Sequence, residues 1–247
     1  MKKKNAVVIV LLVLAAAAAV VLLTARGMNG KILNAGIRTD ITDWSLYDPV
    51  HGDAIGIEAD IAVRLAKKAG YAGVRYVPVT RDTGAAALMN GDADCVICAY
   101  LPEDPAADGL AYSKAYYGLE TVIIAKKSTL FTSVQDLAGR PVGVLAAENK
   151  QAEQLLTAVP DAVLITVPDH HRLSAMLETG EISAVCVPDD IAYMLQDDDC
   201  VRLEPAPGKQ EVAMAARQDA PAGNALTEAM NALIDDGTVN GILSRWE

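Results

Sequence analysis

The sequence predicts an α/β fold in two lobes, joined by two crossing strands around a central cleft. Three observations carry this expectation. Helical and strand-like patterns alternate along most of the chain, which points to largely parallel sheets. The stretch Leu110–Val144 reads as one lobe ending, a strand crossing over and a second lobe beginning. The chain also echoes itself, with a helix–glycine–acid–strand unit in each half.

In order along the chain, Lys31–Gly36 reads as a strand that leads into a loop holding Arg38, Asp40, Asp43 and Trp44. A hairpin turn at His51–Asp53 precedes Ile55-Gly56-Ile57. Glu58–Ala69 then places Ile61, Ala62, Leu65 and Ala66 on one helical face, with Arg64, Lys67 and Lys68 opposite, and Gly70 stops the helix. Val74–Val79 is a strand, Thr83–Asn90 a helix and Asp94–Ala99 a strand. Glu120–Ala125 is an alternating apolar run that stops at Lys126-Lys127, the first crossing strand. Ser133 opens a short helix, Val134–Leu137, and Val142–Val144 starts a buried strand. Asp169 is the predicted N-cap of a helix beginning at His170-His171.

The echo is specific. Ala87-Leu88-Met89-Asn90-Gly91-Asp92 followed by Cys95–Cys98 returns as Ala175-Met176-Leu177-Glu178-Thr179-Gly180-Glu181 followed by Ala184–Val187. Each strand runs into a proline-acid loop, Leu101–Asp104 in one case and Pro188–Asp190 in the other. Two lobes of similar build would turn the C-terminal ends of their strands toward a shared crevice, where ligands bind in open α/β sheets. Cys200–Leu203 is a further strand, Glu204–Lys209 a loop, and Glu211–Ala216 the second crossing strand. Helices Asn224–Ile234 and Val239–Trp246 close the chain around Asp235-Asp236-Gly237. The expected division is 1–27 as signal peptide or membrane anchor, 28–124 with 212–247 as the first lobe, and 128–208 as the second. The hinge segments are 119–127 and 204–215.

The first of these divisions is an address. Lys2-Lys3-Lys4 precede Ala6–Leu23, eighteen residues without a charge. That run exceeds the roughly 7–15 residues of a cleaved signal core and just reaches the length of a membrane span. A cleaved signal and a retained anchor with the body outside both fit, and either makes the protein extracytoplasmic, secreted or tethered to the cell membrane. The chain carries a formal charge of −11, and removing the three leading lysines takes it to −14. So acidic a body excludes a phosphate-backbone partner, and no nucleic acid is expected. With 52% hydrophobic residues but one Phe and two Trp, the core must be built mainly from Ala, Val, Leu and Ile.

The four cysteines, Cys95, Cys98, Cys186 and Cys200, suit an exported protein without proving a disulfide. Cys95-x-x-Cys98 lies in a strand, where positions three apart face opposite ways; a redox pair needs a helix start and a zinc site a second close pair. Buried structural thiols are the leading reading, with a Cys186–Cys200 disulfide as the alternative. No metal or other cofactor is expected. His51, His170 and His171 form no nucleophile–base order and read as surface residues.

At this point the chain resembles the extracellular solute-binding proteins of amino-acid ABC importers, family 3, with the type II periplasmic-binding fold. The resemblance spans Lys31 to Glu247 and rests on Gly56–Ala62, Gly91–Ile97, Tyr112–Lys127, Asp136–Val144 and Asp236-Gly237-Thr238 through Trp246, in that order and spacing. It implies a monomer that closes on a small polar solute and hands it to the permease of an ABC transporter, with the membrane reached through the N-terminal segment. It implies no enzymatic activity and no catalytic residues; a dehydratase-like enzyme is the lesser alternative, with Asp104, Glu148 and Asp189 qualified only by location.

Members that bind α-amino acids hold the carboxylate with an Arg just beyond the strand that here ends at Ala99. Leu101–Ala107 contains no Arg or Lys, which leaves open a tethered sensor or partner-binding domain that no longer takes free amino acids. The resemblance places Cys98, Ala99, Tyr100 and Leu101 where hydroxyls usually stand, and Pro188, with Asp189 beside it, where an Asp meets the ammonium. The resemblance puts an aromatic residue that covers the ligand at Trp44, which fits a core position as well. Arg38 and Arg81 could neutralise an anion or be solvated, and Glu148-Asn149 could offer polar contacts or cap a helix.

Overall fold

The computed structural model describes residues 30–246 apart from 40, 42–43, 82, 103–108 and 147. The N-terminal apolar run and Asp104 lie outside the described residues, and among the described residues no helix is long and apolar enough to cross a membrane. The chain divides into two compact units, one running to Tyr116 and resuming at Ala213, the other spanning Tyr117–Val212.

In the first unit, β1 (Ile32–Arg38) lies between β4 (Gly73–Val79) and β5 (Cys95–Tyr100), parallel to both. The register pairs Ile32 with Gly73 and Arg38 with Val79, so these two strands end level. β5 neighbours β12 (Lys209–Arg217), whose last residues pair antiparallel with β6 (Leu110–Tyr112). A small hairpin, β2 (Leu46–Asp48) with β3 (Asp53–Ile55), turns through His51 as the Pro-Val-His-Gly sequence predicts. Helix α1 (Ile57–Ala69) buries Ile61, Ala62, Leu65 and Ala66, the face its periodicity marks, and packs against α6 (Gly223–Asp235) and α7 (Thr238–Trp246). Helix α2 (Gly84–Asn90) covers part of the sheet, where Val79, Leu88, Val96, Cys98, Leu110 and Ala215 form a core cluster.

In the second unit the strand order is β7 (Tyr117–Lys126), β10 (Ala184–Pro188), β8 (Pro141–Leu145) and β9 (Val163–Val167). β11 (Cys200–Leu203) pairs with β7 on its other side. β10 runs antiparallel to β7 and parallel to β8. Helices α3 (Asn149–Ala158) and α4 (His170–Thr179) pack on these strands, and Ile123, Val142, Val144, Leu155, Ala184 and Leu203 centre the core. The predicted helix at Val134–Leu137 is a 3-10 turn; Ser133 and Asp136 form the reciprocal capping box that fixes its start. Asp169 caps α4 by accepting the Arg172 N–H at 2.9 Å.

The echo has a physical basis in both units. α2 ends at Gly91 with φ 80° and α4 at Gly180 with φ 74°, left-handed positions where glycine costs least, and each then feeds a buried strand. Three elements depart from the expected order. β6 and β9 are additional strands, and Asp189-Asp190 form not a loop but the first turn of the short helix α5 (Asp189–Ala192). Both acids fall in the first turn of that helix.

Candidate binding site

The first unit gathers several sequence-predicted residues at the ends of its parallel strands. Arg81 sits in the turn between β4 and α2. That turn is tight because the Thr80 N–H donates to Thr83 Oγ1 at 2.8 Å and the Gly84 N–H to the Thr80 carbonyl at 3.0 Å. Tyr100 ends β5, and the Arg81 guanidinium carbon lies 4.4 Å from the centre of its ring. Such a stack contributes about 0.5–2 kcal/mol, depending on desolvation. Arg81, Cys98, Ala99 and Tyr100 all line one pocket, together with Gly84, Ala85 and Tyr112.

Arg38 and Trp44 have a different setting. Arg38 is 1% exposed and Trp44 7% exposed, so both belong to the interior of the unit. The Arg38 N–H donates to Glu58 Oε2 at 2.6 Å, and the Glu58 N–H donates to the Trp44 carbonyl at 3.1 Å. Glu58 is itself wholly buried in the first turn of α1. The Tyr116 hydroxyl donates to the Ile97 carbonyl at 2.9 Å. Burial pushes that phenol well above its usual pKa, the Glu58 charge adds to the rise, and the Arg81 and Arg38 charges oppose it. Arg38, Glu58, Arg81 and Tyr116 therefore form one electrostatic neighbourhood.

In the second unit, Glu148 precedes α3 and is 3% exposed. Its side chain makes no capping hydrogen bond, so the N-cap reading does not describe it. With its amide nitrogen turned toward Glu148, Gln151 donates to the Glu148 carbonyl at 3.2 Å and to Oε2 at 3.3 Å. Asn149 is the first residue of α3. Asp189 is half-buried, and its Oδ1 is buried without a hydrogen-bond partner. Burial lifts its carboxyl to a pKa of about 6; the Asp190 charge adds to this, while the Glu120 N–H opposes it.

All four cysteines are free, buried thiols. Cys186 lies on β10 with its thiol 3.4 Å from the Gln151 carbonyl, and the Cys200 thiol is 3.8 Å from the Leu195 carbonyl, so the Cys186–Cys200 pairing does not form. Among the described residues, no group of three His, Cys, Asp or Glu could hold a metal ion. Sequence reasoning misses Glu58, Tyr112, Tyr116 and Gln151. Only the run Gly84-Ala85-Ala86-Ala87 signals the pocket, since small residues on a helix over a sheet leave space.

The comparisons with known proteins agree in kind. A family model for bacterial extracellular solute-binding proteins, family 3, matches residues 33–247. The chain is 26% identical over 213 residues to the arginine-binding extracellular protein ArtP of Bacillus subtilis (strain 168), covering 83% of this chain and 82% of that one. It is 24% identical over 225 residues to the ABC transporter glutamine-binding protein GlnH of the same organism, covering 88% and 81%. Among solved structures, an ancestral arginine-binding protein bound to arginine superposes with a TM-score of 0.69 at 23% identity, over 89% of this chain and 99% of that one. The GluR0 ligand-binding core with L-glutamate gives 0.71 at 16% identity, over 88% and 98%. These likenesses show the type II periplasmic-binding fold.

Proposed function

The chain belongs to the bacterial extracellular solute-binding proteins, family 3, and on that premise we propose that it binds a small polar solute of the amino-acid class outside the cytoplasm and delivers it to the permease of an ABC importer. The observation that carries this reading is the match over residues 33–247, which takes in nearly all the described secondary structure. Its role is binding without chemical conversion. Lys2–Lys4 and the apolar run Ala6–Leu23 direct export; where that run is retained it tethers the protein to the membrane.

Within this reading Arg81, stacked on Tyr100 beside Cys98 and Ala99, is the anion-holding group. A bidentate guanidinium suits a carboxylate, and Leu101–Ala107 supplies no competing cation. The second unit, taken by itself, offers Asp189 to a cationic group, with Asn149 and Glu148 as further polar groups. The buried Oδ1 of Asp189 gains a partner when an ammonium approaches. Arg38 and Trp44 support the site from the interior. Arginine and glutamine lead the candidates, because they are what the named relatives bind.

A thermal-shift panel of amino acids, organic acids and polyamines tests the proposal. A ligand at 100 times its Kd stabilises the folded protein by about 2.7 kcal/mol, a rise of roughly 5–10 °C for a chain of this size. A panel without any shift would contradict transport and favour the sensor reading, which the absence of Arg and Lys from Leu101–Ala107 supports.

A further inference from the structure

In the second unit, one side chain of α3 touches both crossing strands. The Thr121 hydroxyl on β7 donates to Gln154 Oε1, and Gln154 Nε2 donates to the Lys209 carbonyl at the start of β12 at 3.0 Å. Thr121 is wholly buried, so its hydroxyl has no water to turn to when that amide is removed. The strands are also joined to each other at this level, where the Thr121 N–H donates to the Gly208 carbonyl at 2.8 Å. Gly208 makes the room for the amide. A Cβ added there would stand 2.5 Å from Gln154 Cδ and 2.8 Å from its Nε2, which would push the amide off both partners.

The residue type matters. A neutral amide accepts and donates at once, so it serves a hydroxyl on one strand and a carbonyl on the other; a carboxylate only accepts and an ammonium only donates. The same side of α3 leads back to its start. Gln151 lies one turn before Gln154, and its amide donates to the Glu148 carbonyl at 3.2 Å and to Oε2 at 3.3 Å. Leu155, next to Gln154, is wholly buried in the core of the unit and fixes the helix over this length. Glu148 and Asn149 are the polar groups that the solute-binding reading assigns to α3. A single helix therefore connects them to β7 and β12, within the second unit.

We propose that Gln154 is a clamp that fastens both crossing strands to α3, so that the strands and the polar groups at the start of α3 move as one body. Gln154 is a positioning residue: it acts through α3, β7 and β12 and not by touching a solute. What the clamp serves rests on the solute-binding reading, since an event at Glu148 and Asn149 then reaches the two strands that lead out of this unit.

Hydrogen exchange read by mass spectrometry on the full chain, with no solute added, tests this. Gln154→Glu keeps the acceptor for Thr121 and loses the donor to Lys209, Thr121→Val removes the hydroxyl, and Gly208→Ala displaces the amide. Each should speed exchange about tenfold in 117–121, in 208–212 and in α3 at 153–158, as expected for the loss of one hydrogen bond in a locally opening segment. β8 and β9 should exchange as in the parent. Thr121→Ser, which keeps the hydroxyl, should also match the parent. Gly208→Ala made on top of Gln154→Ala should add nothing, because the side chain it displaces is gone. Unchanged exchange in 117–121 and 208–212 would overturn the clamp. A rise confined to the strands, with α3 unchanged, would overturn the coupling to the start of α3. An equal rise in β8 and β9 would mean a general loss of stability and would overturn the proposal too, as would Thr121→Ser behaving like Thr121→Val. Because no solute is involved, failure of the clamp leaves the solute-binding reading standing, and a thermal-shift panel without response leaves the clamp standing.

Discussion

Glu58 Oε2 accepts the backbone N–H of Arg38 at 2.6 Å, joining the end of β1 to the first turn of α1 in the interior of the first unit. Arg38 is 1% exposed and Glu58 wholly buried, so neither charge has water to fall back on. Ser45 Oγ also donates to the same carboxylate oxygen at 3.4 Å. Glu58→Ala removes the acceptor for these two buried donors. A buried donor left without its acceptor costs about 1–3 kcal/mol, towards the upper end where the lost acceptor is charged. Urea denaturation should show that cost as a lower midpoint with little change in slope. A cost under about 1 kcal/mol would contradict the assigned role.

Gly56 fixes the approach to α1. Its φ of 127° with ψ of −179° lies in a region essentially confined to glycine, and an added Cβ would stand 2.6 Å from the Trp44 carbonyl oxygen. Both the conformation and the contact with backbone oppose any side chain. Gly56→Ala is expected to cost about 3 kcal/mol, read as a fall in the melting temperature. An unchanged melting temperature would contradict this reading of the turn.

Asp189 gives a pH dependence with a defined sign. Its folded-state pKa of about 6 lies above the value near 4 of an unfolded carboxyl. The folded state therefore holds more protons in between, and stability from this group falls as pH rises from about 4 to about 6. At pH 7 the ionised carboxylate is a net cost, reduced by its partial exposure. Asp189→Asn should raise the melting temperature at pH 7 and leave it nearly unchanged at pH 4. A cationic ligand group placed against Asp189 would lower its pKa, so binding near pH 6 should release protons, seen as a calorimetric heat that depends on the buffer.

The four thiols should all be silent in the native protein. Burial raises the Cys95 and Cys186 pKa values far beyond neutrality, and Cys98 and Cys200 are at most 5% exposed. A thiol reagent applied without prior reduction is expected to label none rapidly in the folded protein and all four after denaturation. Two labelled thiols under denaturation would reveal a disulfide.

Much of this fold was legible because local signals and tertiary burial coincide. α1 has an apolar face, acids in its first turn and lysines in its last, and the face its spacing marks is the one that is buried. The crossing strands extend further than their apolar runs, since β7 takes in Tyr117 and Gly118, and β12 begins at Lys209, where backbone pairing rather than side-chain pattern decides. β9 escapes because it pairs on one side only, with β8, and its half-exposed residues carry no alternation. The pocket was partly legible. Arg81, Cys98, Ala99 and Tyr100 follow from strand order, because parallel strands deliver their ends together. Tyr112 comes from β6, a strand of three residues too short to show a pattern that would mark it. The interior places of Arg38 and Trp44 depend on Glu58, whose helix position conceals that it is wholly buried.

Native mass spectrometry of gently purified protein, followed by denaturation and identification of what is released, tests the central claim most directly. A solute-binding protein should carry a stoichiometric small molecule that bears a carboxylate and competes with added amino acid or organic acid. A native mass equal to that of the bare chain, unchanged on adding any member of the panel, would contradict the account.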